Sequence, residues 1–210
     1  FSKNIFKNFN LCLSSSKESY GYLKKLNFKN IKFIGNLKYS QAESENLYLN
    51  KNLDKFLSIN NSWCASSTHD SEEFIVGQAH KILKKKIKKL VTVIIPRHIE
   101  RCSRIKKDLE KLNLKVHLDE SKKKINPKTD IYLVNSYGKT KSFYKKCNNV
   151  FLGGSLIEHG GQNPLEAARY GCSIINGPNV QNFREIYEYL RKNNISSSIK
   201  KNKELADQLY

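Results

Sequence analysis

Short apolar runs alternate with amphipathic segments from Trp63 to Ile175, and this alternation constrains the fold more than any other feature of the chain. Residues 90–95 are almost uninterrupted in apolar side chains, as in a buried strand, whereas apolar residues between Phe74 and Ile87 recur on one helical face. Such alternation predicts an α/β fold with a Rossmann-like parallel sheet flanked by helices. The predicted strands are residues 63–66, 90–95, 115–118, 131–134, 150–152 and 172–175, and the later helices are residues 99–112, 137–147 and 164–170.

A smaller αβ unit precedes this alternation. Residues 9–13 and 31–34 have the apolar pattern of short strands, and Ser16 is placed to cap a helix between them. Residues 39–61 are polar and rich in Asn, Ser and Lys, with one short helix expected over residues 43–57. We therefore divide the chain into residues 1–40, a connector at residues 41–61 and a larger domain at residues 62–210.

The net charge of +19 attracts polyanions, which include nucleic acid, anionic membrane surfaces and phosphorylated substrates. Nearly all of the positive charge comes from Lys. These lysines are interspersed with Asn and Ile, a composition typical of solvated positions encoded by an AT-rich genome. The lysine run at residues 84–89 lacks the interleaved aromatic side chains that stack on bases, so we expect no nucleic-acid partner. No apolar stretch approaches the roughly 20 residues of a membrane span.

Five cysteines are scattered without the C-x-x-C spacing of zinc sites, and their number is odd. We therefore expect buried free thiols rather than a disulfide framework. Asp70, Asp119 and Glu120 have no further acidic or His partner at the spacing of metal ligands. The sequence therefore predicts a metal-independent site without a cofactor.

The loops that follow the predicted strands carry small, hydroxylated, glycine or cationic residues. All strands of a parallel sheet end at the same edge, and ligands bind beyond that edge. Arg97 offers a forked cation to a phosphate. The turn Gly153, Gly154 and Ser155 is expected to leave backbone N–H groups unpaired for a phosphate. Glu166, one turn into the next helix, is placed to accept hydrogen bonds from a sugar diol, so this edge suits a nucleoside phosphate.

The sequence leaves structural interpretations of these residues open. Arg97 can form a surface salt bridge, and the glycine turn can join a strand to a helix without any ligand. His69 and His98 are candidates for acid–base chemistry, although a loop histidine more often forms a structural hydrogen bond. For Glu72 and Glu73 we favour a structural interpretation, in which a carboxylate stabilises a helix N-terminus by about 0.3–1 kcal/mol.

Five collinear motifs resemble the C-terminal half of the lipid A-specific 3-deoxy-D-manno-octulosonic acid (Kdo) transferases. They are G-N-L-K at 35–38, A-S-S-T-H-D-S-E-E at 65–73, V-I-I-P-R-H at 93–98, G-G-S and G-G-Q-N-P-L-E at 153–155 and 160–166, and G-P-N-V-Q-N-F at 177–183. Members of that family transfer Kdo from CMP-Kdo to the lipid A precursor in lipopolysaccharide synthesis. The resemblance covers nearly the whole chain. It implies an inverting two-domain GT-B glycosyltransferase, with residues 1–40 as the tail of the N-terminal acceptor domain and residues 62–210 as the donor-binding domain.

The resemblance also implies roles for individual residues and for partners. Three groups fall on the family's contacts with CMP, and Lys38 falls on a lysine that stabilises the transition state. The first group is Pro96 and Arg97, the second is Tyr137, Gly138 and Lys139, and the third is Asn163, Pro164, Leu165 and Glu166. The implied partners are CMP-Kdo, a lipid A precursor and an anionic membrane surface, at the cytoplasmic face of the bacterial inner membrane.

The chain departs from the family pattern at two positions. Lys139 stands where the family has Glu, which reverses a charge beside the donor, and Gln162 stands where the family has His, which removes a group that can carry a proton. The family's catalytic base, a Glu of the N-terminal domain, has no counterpart here. The sequence also begins with Phe1 and contains no Met, so we expect a fragment that is inactive by itself.

Three other functions stay open at this point. The charge of +19 fits a basic nucleic-acid-binding α/β protein, whose affinity would fall steeply with salt. A GT-B enzyme that uses another nucleotide sugar would prefer UMP or GMP to CMP. Lys139 and the missing base are also compatible with a degenerate, inactive copy of the enzyme.

Overall fold

The computed structural model describes residues 2–6, 8–35, 49–120 and 123–210, and the chain forms two compact units, Phe1–Asn46 and Leu47–Tyr210. The smaller unit contains α1 (Ser2–Phe6), β1 (Cys12–Ser14), α2 (Lys17–Lys25) and β2 (Ile31–Phe33). β1 and β2 pair in parallel. Ser16 caps α2 by accepting a hydrogen bond from the Ser19 N–H at 3.0 Å. The predicted order of strand, capped helix and strand is confirmed.

The larger unit is built on a parallel sheet. Its strands are β3 (Asn61–Thr68), β4 (Leu90–Pro96), β5 (Val116–Leu118), β6 (Ile131–Leu133), β7 (Asn149–Leu152), β8 (Ser173–Asn176) and β9 (Ser196–Ser198). Within the described ranges these seven strands pair in the order β5-β6-β4-β3-β7-β8-β9, and every pairing is parallel. The six strands predicted from the sequence are present. β9 lies beyond the predicted alternation, because its three serines have no apolar pattern and join the sheet by pairing with β8.

Helices cover both faces of this sheet. They are α3 (Lys51–Ser58), α4 (Glu72–Lys84), α5 (Cys102–Lys111), α6 (Thr140–Tyr144), α7 (Leu165–Arg169), α8 (Arg184–Lys192) and α9 (Asn202–Leu209), with 3-10 turns at Ile99–Arg101 and Gln181–Phe183. Neighbouring residues of one strand point to opposite faces. Val93 lies in a core cluster with Phe143 and Tyr187, whereas Ile94 lies in one with Leu109. The fold is therefore the predicted Rossmann-like parallel sheet flanked by helices.

Two helices differ from their predicted extents. α6 has 5 residues rather than the predicted span 137–147, because Gly138 takes a φ of +83°, which a right-handed helix does not contain. α3 falls in the predicted connector, yet it packs Leu53, Phe56 and Leu57 into the core of the larger unit. Residues 43–48 of that predicted helix lie outside the described residues.

No helix in the described part of the chain is both long and apolar enough to cross a bilayer. Cys64, Cys147 and Cys172 are buried free thiols, as the sequence predicts. Burial raises the pKa of Cys147 to about 12 and that of Cys172 to about 11. These thiols therefore stay protonated at neutral pH and contribute to packing rather than to chemistry.

A buried ion-pair network joins the start of β6 to α4. Asp130 is almost completely buried, and its carboxylate accepts hydrogen bonds from Lys84 Nζ and, at 2.9 Å, from the Lys115 N–H. His80 Nε2 lies 3.6 Å from the same carboxylate, and His80 Nδ1 lies 2.8 Å from Thr92 Oγ1. Burial alone would raise the pKa of Asp130, but His80, Lys115 and Lys84 outweigh it and hold that pKa well below its ordinary value.

Asp130→Asn is expected to lower the free energy of unfolding of the larger unit by about 1–3 kcal/mol at pH 7, because an amide cannot replace the charge that Lys84 faces. Since the folded-state pKa is depressed, the wild-type advantage is present above the unfolded pKa of about 4 and is lost as pH falls through the lower folded value. Urea denaturation followed by the fluorescence of Trp63, the single tryptophan, measures this difference.

The matched control is Asp207→Asn, at an exposed position of α9. If Asp130→Asn were no less stable than this control at neutral pH, or if its deficit stayed constant down to pH 3, the stabilising role of the Asp130 charge would be refuted.

Candidate functional site

The strand order creates a topological switch point between β3 and β7. After β3 the chain adds β4, β5 and β6 on one side, and it then crosses to add β7, β8 and β9 on the other. The connections that leave β3 and β7 therefore diverge, and the gap beyond their carboxyl ends is where open α/β sheets bind ligands. The loops after β4 and β6 reach the same edge because the pairing is parallel. This carboxyl edge, formed by the loops after β3, β4, β6 and β7, is the candidate site.

One buried carboxylate organises the carboxyl edge. Glu72 is the first residue of α4 and is fully buried. Its Oε2 accepts hydrogen bonds from the backbone N–H groups of His69 at 2.9 Å and Gly154 at 2.8 Å. Its Oε1 accepts from those of Ser155 at 3.1 Å and Leu156 at 3.0 Å. Glu72 thus joins the loop after β3 to the loop after β7 and satisfies four donors.

The prediction that the N–H groups of Gly153, Gly154 and Ser155 stay unpaired for a phosphate is therefore wrong. Those of Gly154 and Ser155 bind Glu72, and that of Gly153 donates to the Ser66 carbonyl at 2.9 Å. A phosphate could use these donors only by displacing a buried group of the same charge sign. The turn instead forms the floor of the edge, and Glu72 is more than the helix-terminus stabiliser that the sequence suggested.

Gly153 is needed for this close approach. A Cβ at this position would lie 2.5 Å from the Ser67 carbonyl oxygen, 2.6 Å from Thr68 Cα and 2.8 Å from Glu72 Oε2. Two of these three atoms belong to the backbone at the end of β3, which cannot yield as a flexible side chain can. The glycine therefore allows the end of β7 to pack closely against Glu72.

Three imidazoles and one amide converge above Gly154. The His69 ring centroid lies 4.2 Å from that of His159 and 6.0 Å from that of His98. Gln162 Nε2 lies 3.3 Å from His69 Nε2. A Cβ on Gly154, whose φ is +65°, would lie 3.0 to 3.3 Å from atoms of His159, Gln162 and His69. In the described part of the chain, no group of three or more His, Cys, Asp and Glu side chains is arranged to hold a metal ion.

His69 is the centre of this group, and its pKa is lowered to about 4. Burial is the largest cause, followed by the charges of His159, His98, Arg101 and Arg97. The imidazole is therefore neutral at pH 7 in a locally positive environment. Sequence reasoning singled out His69 and His98 but missed His159, which lies in a glycine-rich segment without a distinctive pattern of its own.

The loop after β4 carries two arginines with different surroundings. Pro96 is the buried last residue of β4, and the exposed Arg97 donates its backbone N–H to the Thr68 carbonyl at 3.0 Å. Arg101 binds both oxygens of Glu73, with Nη1 3.0 Å from Oε1 and Nη2 2.9 Å from Oε2. Burial raises the pKa of Glu73, and Arg101 opposes this shift. Among the residues that the structure describes, Arg97 forms no ion pair, so its guanidinium can face a ligand.

The loop after β6 places Tyr137 and Gly138 in open surroundings. Tyr137 is 66% exposed, and no heavy atom lies within 4 Å of a Cβ built on Gly138. Lys139 instead contacts protein, because its Nζ lies 2.5 Å from Oδ2 of the buried Asp119. The Tyr132 hydroxyl donates to Oδ1 of the same carboxylate at 2.7 Å. The cation at position 139 is therefore neutralised by an internal acid.

The segment between β7 and α7 positions the third predicted group. Asn163 Oδ1 accepts a hydrogen bond from the Leu165 N–H at 3.1 Å, directly before α7. Pro164 is buried, and Leu165 packs against the core. Glu166 lies in the first turn of α7, with Oε1 4.0 Å from Lys141 Nζ. This contact brings the helix after β6 close to the helix after β7.

The structure thus places the predicted CMP contacts along one edge. Arg97 lies in the loop beside the histidines, and Lys141 and Glu166 link the segments that contain residues 137–139 and 163–166. Lys38 lies outside the described residues. The individual roles of these residues stay predictions.

No protein-family model matches the chain. It is similar to the 3-deoxy-D-manno-octulosonic acid transferase of Haemophilus influenzae, with 30% identity over 164 residues that cover 76% of the chain and 38% of that protein. The transferase of the same name from Aquifex aeolicus is 27% identical over 207 residues, 99% of the chain and 55% of that protein. The chain therefore spans about half the length, or less, of these curated relatives.

A solved structure resembles the larger part of the chain. The C-terminal CMP-Kdo binding domain of WaaA from Acinetobacter baumannii superposes with a TM-score of 0.68 and 28% identity. The match covers 73% of this chain and 80% of that domain.

Glu72→Gln is expected to lower the free energy of unfolding by about 3 kcal/mol, because the amide NH₂ would face backbone N–H donors that the carboxylate now satisfies. Glu188→Gln, at an exposed position of α8, is the control and should change stability by less than about 0.5 kcal/mol. Thermal and urea unfolding measure both variants. Equal stability of the two would show that the buried carboxylate does not organise the edge.

Proposed function

The chain belongs to the family of Kdo transferases, and we propose that its larger unit is the part of such a glycosyltransferase that binds the donor CMP-Kdo. The observation that carries this proposal is the match to a domain described as CMP-Kdo binding, at 28% identity and over 80% of that domain. A second line of support is local: Arg97, Gly138 and Glu166 all follow strands that end at the carboxyl edge.

The donor phosphate must be stabilised while CMP departs. Negative charge develops on that phosphate as its bond to the anomeric carbon breaks, and prearranged cations and N–H donors lower the barrier. In the proposed site Arg97 supplies a forked cation, and the open backbone at Gly138 supplies neutral donors. The N–H groups of residues 154–156 take no part, because Glu72 holds them.

Glu166 is proposed to accept hydrogen bonds from the ribose hydroxyls of CMP. Its carboxylate lies in the first turn of α7, with Oε1 4.0 Å from Lys141 Nζ, and carboxylate oxygens can accept from both hydroxyls of a diol. Lys139 does not add a free cation beside the donor, because Asp119 neutralises it. The Glu-to-Lys departure at this position is therefore compatible with donor binding through the backbone of the loop.

In the proposed reaction the bond between the anomeric carbon of Kdo and the phosphate oxygen breaks, and CMP leaves with the electron pair. A hydroxyl of the lipid A precursor attacks from the opposite face, which inverts the anomeric centre, and its proton passes to a base. The family resemblance implies a Glu of the N-terminal domain as that base and Lys38 as a cation at the transition state. Residues 1–40 are then the tail of that domain.

The acceptor also suggests where the reaction takes place. A lipid A precursor resides in a membrane, and a net charge of +19 favours an anionic surface. The proposed location is the cytoplasmic face of a bacterial inner membrane.

Arg97→Ala and Glu166→Ala are each expected to weaken CMP binding by at least about tenfold, since one removes a charge-assisted contact to phosphate and the other removes the ribose acceptor. Isothermal titration calorimetry with CMP measures the change. Arg184→Ala, at an exposed position of α8, is the control and should bind as the wild type does. Unchanged affinity in both site variants would refute this placement of the donor.

A further inference from the structure

We propose that His69, His98 and His159 form a proton-coupled subsite for an anionic group of the donor. The three rings come from three different loops of the carboxyl edge, those after β3, β4 and β7. Their convergence at 4.2 and 6.0 Å from one central ring is not explained by packing in the core, since His98 and His159 are exposed. The inference rests on the proposed function and adds a subsite to it.

The surroundings of this subsite favour an anion. Arg97 and Arg101 lie close enough to repel a proton on His69. The nearby acids are engaged elsewhere: Glu72 binds backbone N–H groups, and Glu73 binds Arg101. Two other acidic side chains lie near the subsite. Asp70 Oδ1 is 3.2 Å from Arg101 Nη2, and Glu100 Oε1 is 3.4 Å from His98 Nδ1. The largest charge effects on the central ring nevertheless come from cations, and an anionic ligand would relieve their repulsion of a proton on His69.

Gln162 allows the central ring to change its protonation state. Its amide lies 3.3 Å from His69 Nε2. The amide NH₂ can donate to Nε2 of the neutral ring, and after a flip its oxygen can accept from Nε2–H of the charged ring. Both states keep a hydrogen bond, so the ring can gain a proton without losing its partner.

Binding an anion should therefore draw a proton onto the subsite. Without ligand, burial and the neighbouring cations lower the pKa of His69 to about 4, so the ring is neutral at pH 6 to 8. A bound anion stabilises the imidazolium and raises this pKa toward or above its ordinary value of about 6.5. Because the liganded state then binds more protons, affinity rises as pH falls from 8 to 6.

The subsite can bind either of two anionic groups of the donor: the phosphate diester or the carboxylate of the sugar acid. Two probes distinguish them. The methyl ester of CMP carries the diester alone, whereas CMP-N-acetylneuraminate carries the same diester and a sugar carboxylate. Neither probe titrates between pH 6 and 8, so proton uptake reports on the protein. CMP itself is unsuitable here, because its phosphate monoester titrates in this range.

Calorimetry in two buffers of different ionisation enthalpy, at pH 6, 7 and 8, measures both affinity and proton uptake. We expect binding at pH 6 to be about fivefold tighter than at pH 8 and to take up protons. If both probes bind more tightly at pH 6 and take up protons, the diester is the ligand of the subsite. If only CMP-N-acetylneuraminate does so, the ligand is the sugar carboxylate.

His69→Gln and His159→Gln should flatten the pH profile to within about twofold, because glutamine keeps hydrogen-bonding capacity but cannot be protonated. His117→Gln is the control, since His117 lies on the edge strand β5 and stacks on Tyr132. Since His159 is exposed, its substitution is not expected to affect folding, and the fluorescence of Trp63 checks both variants.

The outcomes separate the two proposals. If the wild-type chain binds the probes without proton uptake, or if both site variants keep the wild-type pH profile, the subsite is refuted while the donor site stands. If the wild-type chain binds neither probe nor CMP at any pH, the proposed function itself fails.

Discussion

A buried carboxylate holds the carboxyl edge of the sheet together. Glu72 accepts four backbone N–H groups from two loops that are distant in sequence, and it does so without exposure to solvent. A charge in such a place is stable only when donors surround it. Three of those donors come from the segment that begins at Gly153, where the absence of a Cβ lets β7 approach β3. The Glu72 carboxylate thus occupies a glycine turn that could otherwise receive a phosphate, and the proposed donor phosphate is therefore placed further along the edge.

The other charges of the edge follow from this arrangement. Arg101 is held by Glu73 and Lys139 by Asp119, so these two cations are already neutralised. Arg97 has no such partner within the described residues, and its charge contributes to lowering the pKa of the neighbouring histidine. Arg97 therefore keeps a cation available at the carboxyl edge, where the proposed donor phosphate would bind.

Much of the fold could be predicted from the sequence, because strands such as residues 90–95 are apolar runs and their order of alternation implies a parallel sheet. The strand β9 could not be predicted from the sequence, because its three serines form a strand only by pairing with β8. The edge was predicted as the site, but the role of Glu72 was not, since its bond to Gly154 joins residues 82 apart. Such contacts depend on the folded chain, and no local spacing indicates them.

Backbone amide chemical shifts of the ¹⁵N-labelled chain, recorded by NMR during a titration with CMP, test the central claim most directly. We expect the largest changes at Arg97, around Gly138 and around Glu166, with smaller changes in the turn that Glu72 holds. Changes concentrated instead at the lysine-rich opposite edge, around residues 84–89 and 128, or no saturable change at all, would contradict a donor site at the carboxyl edge.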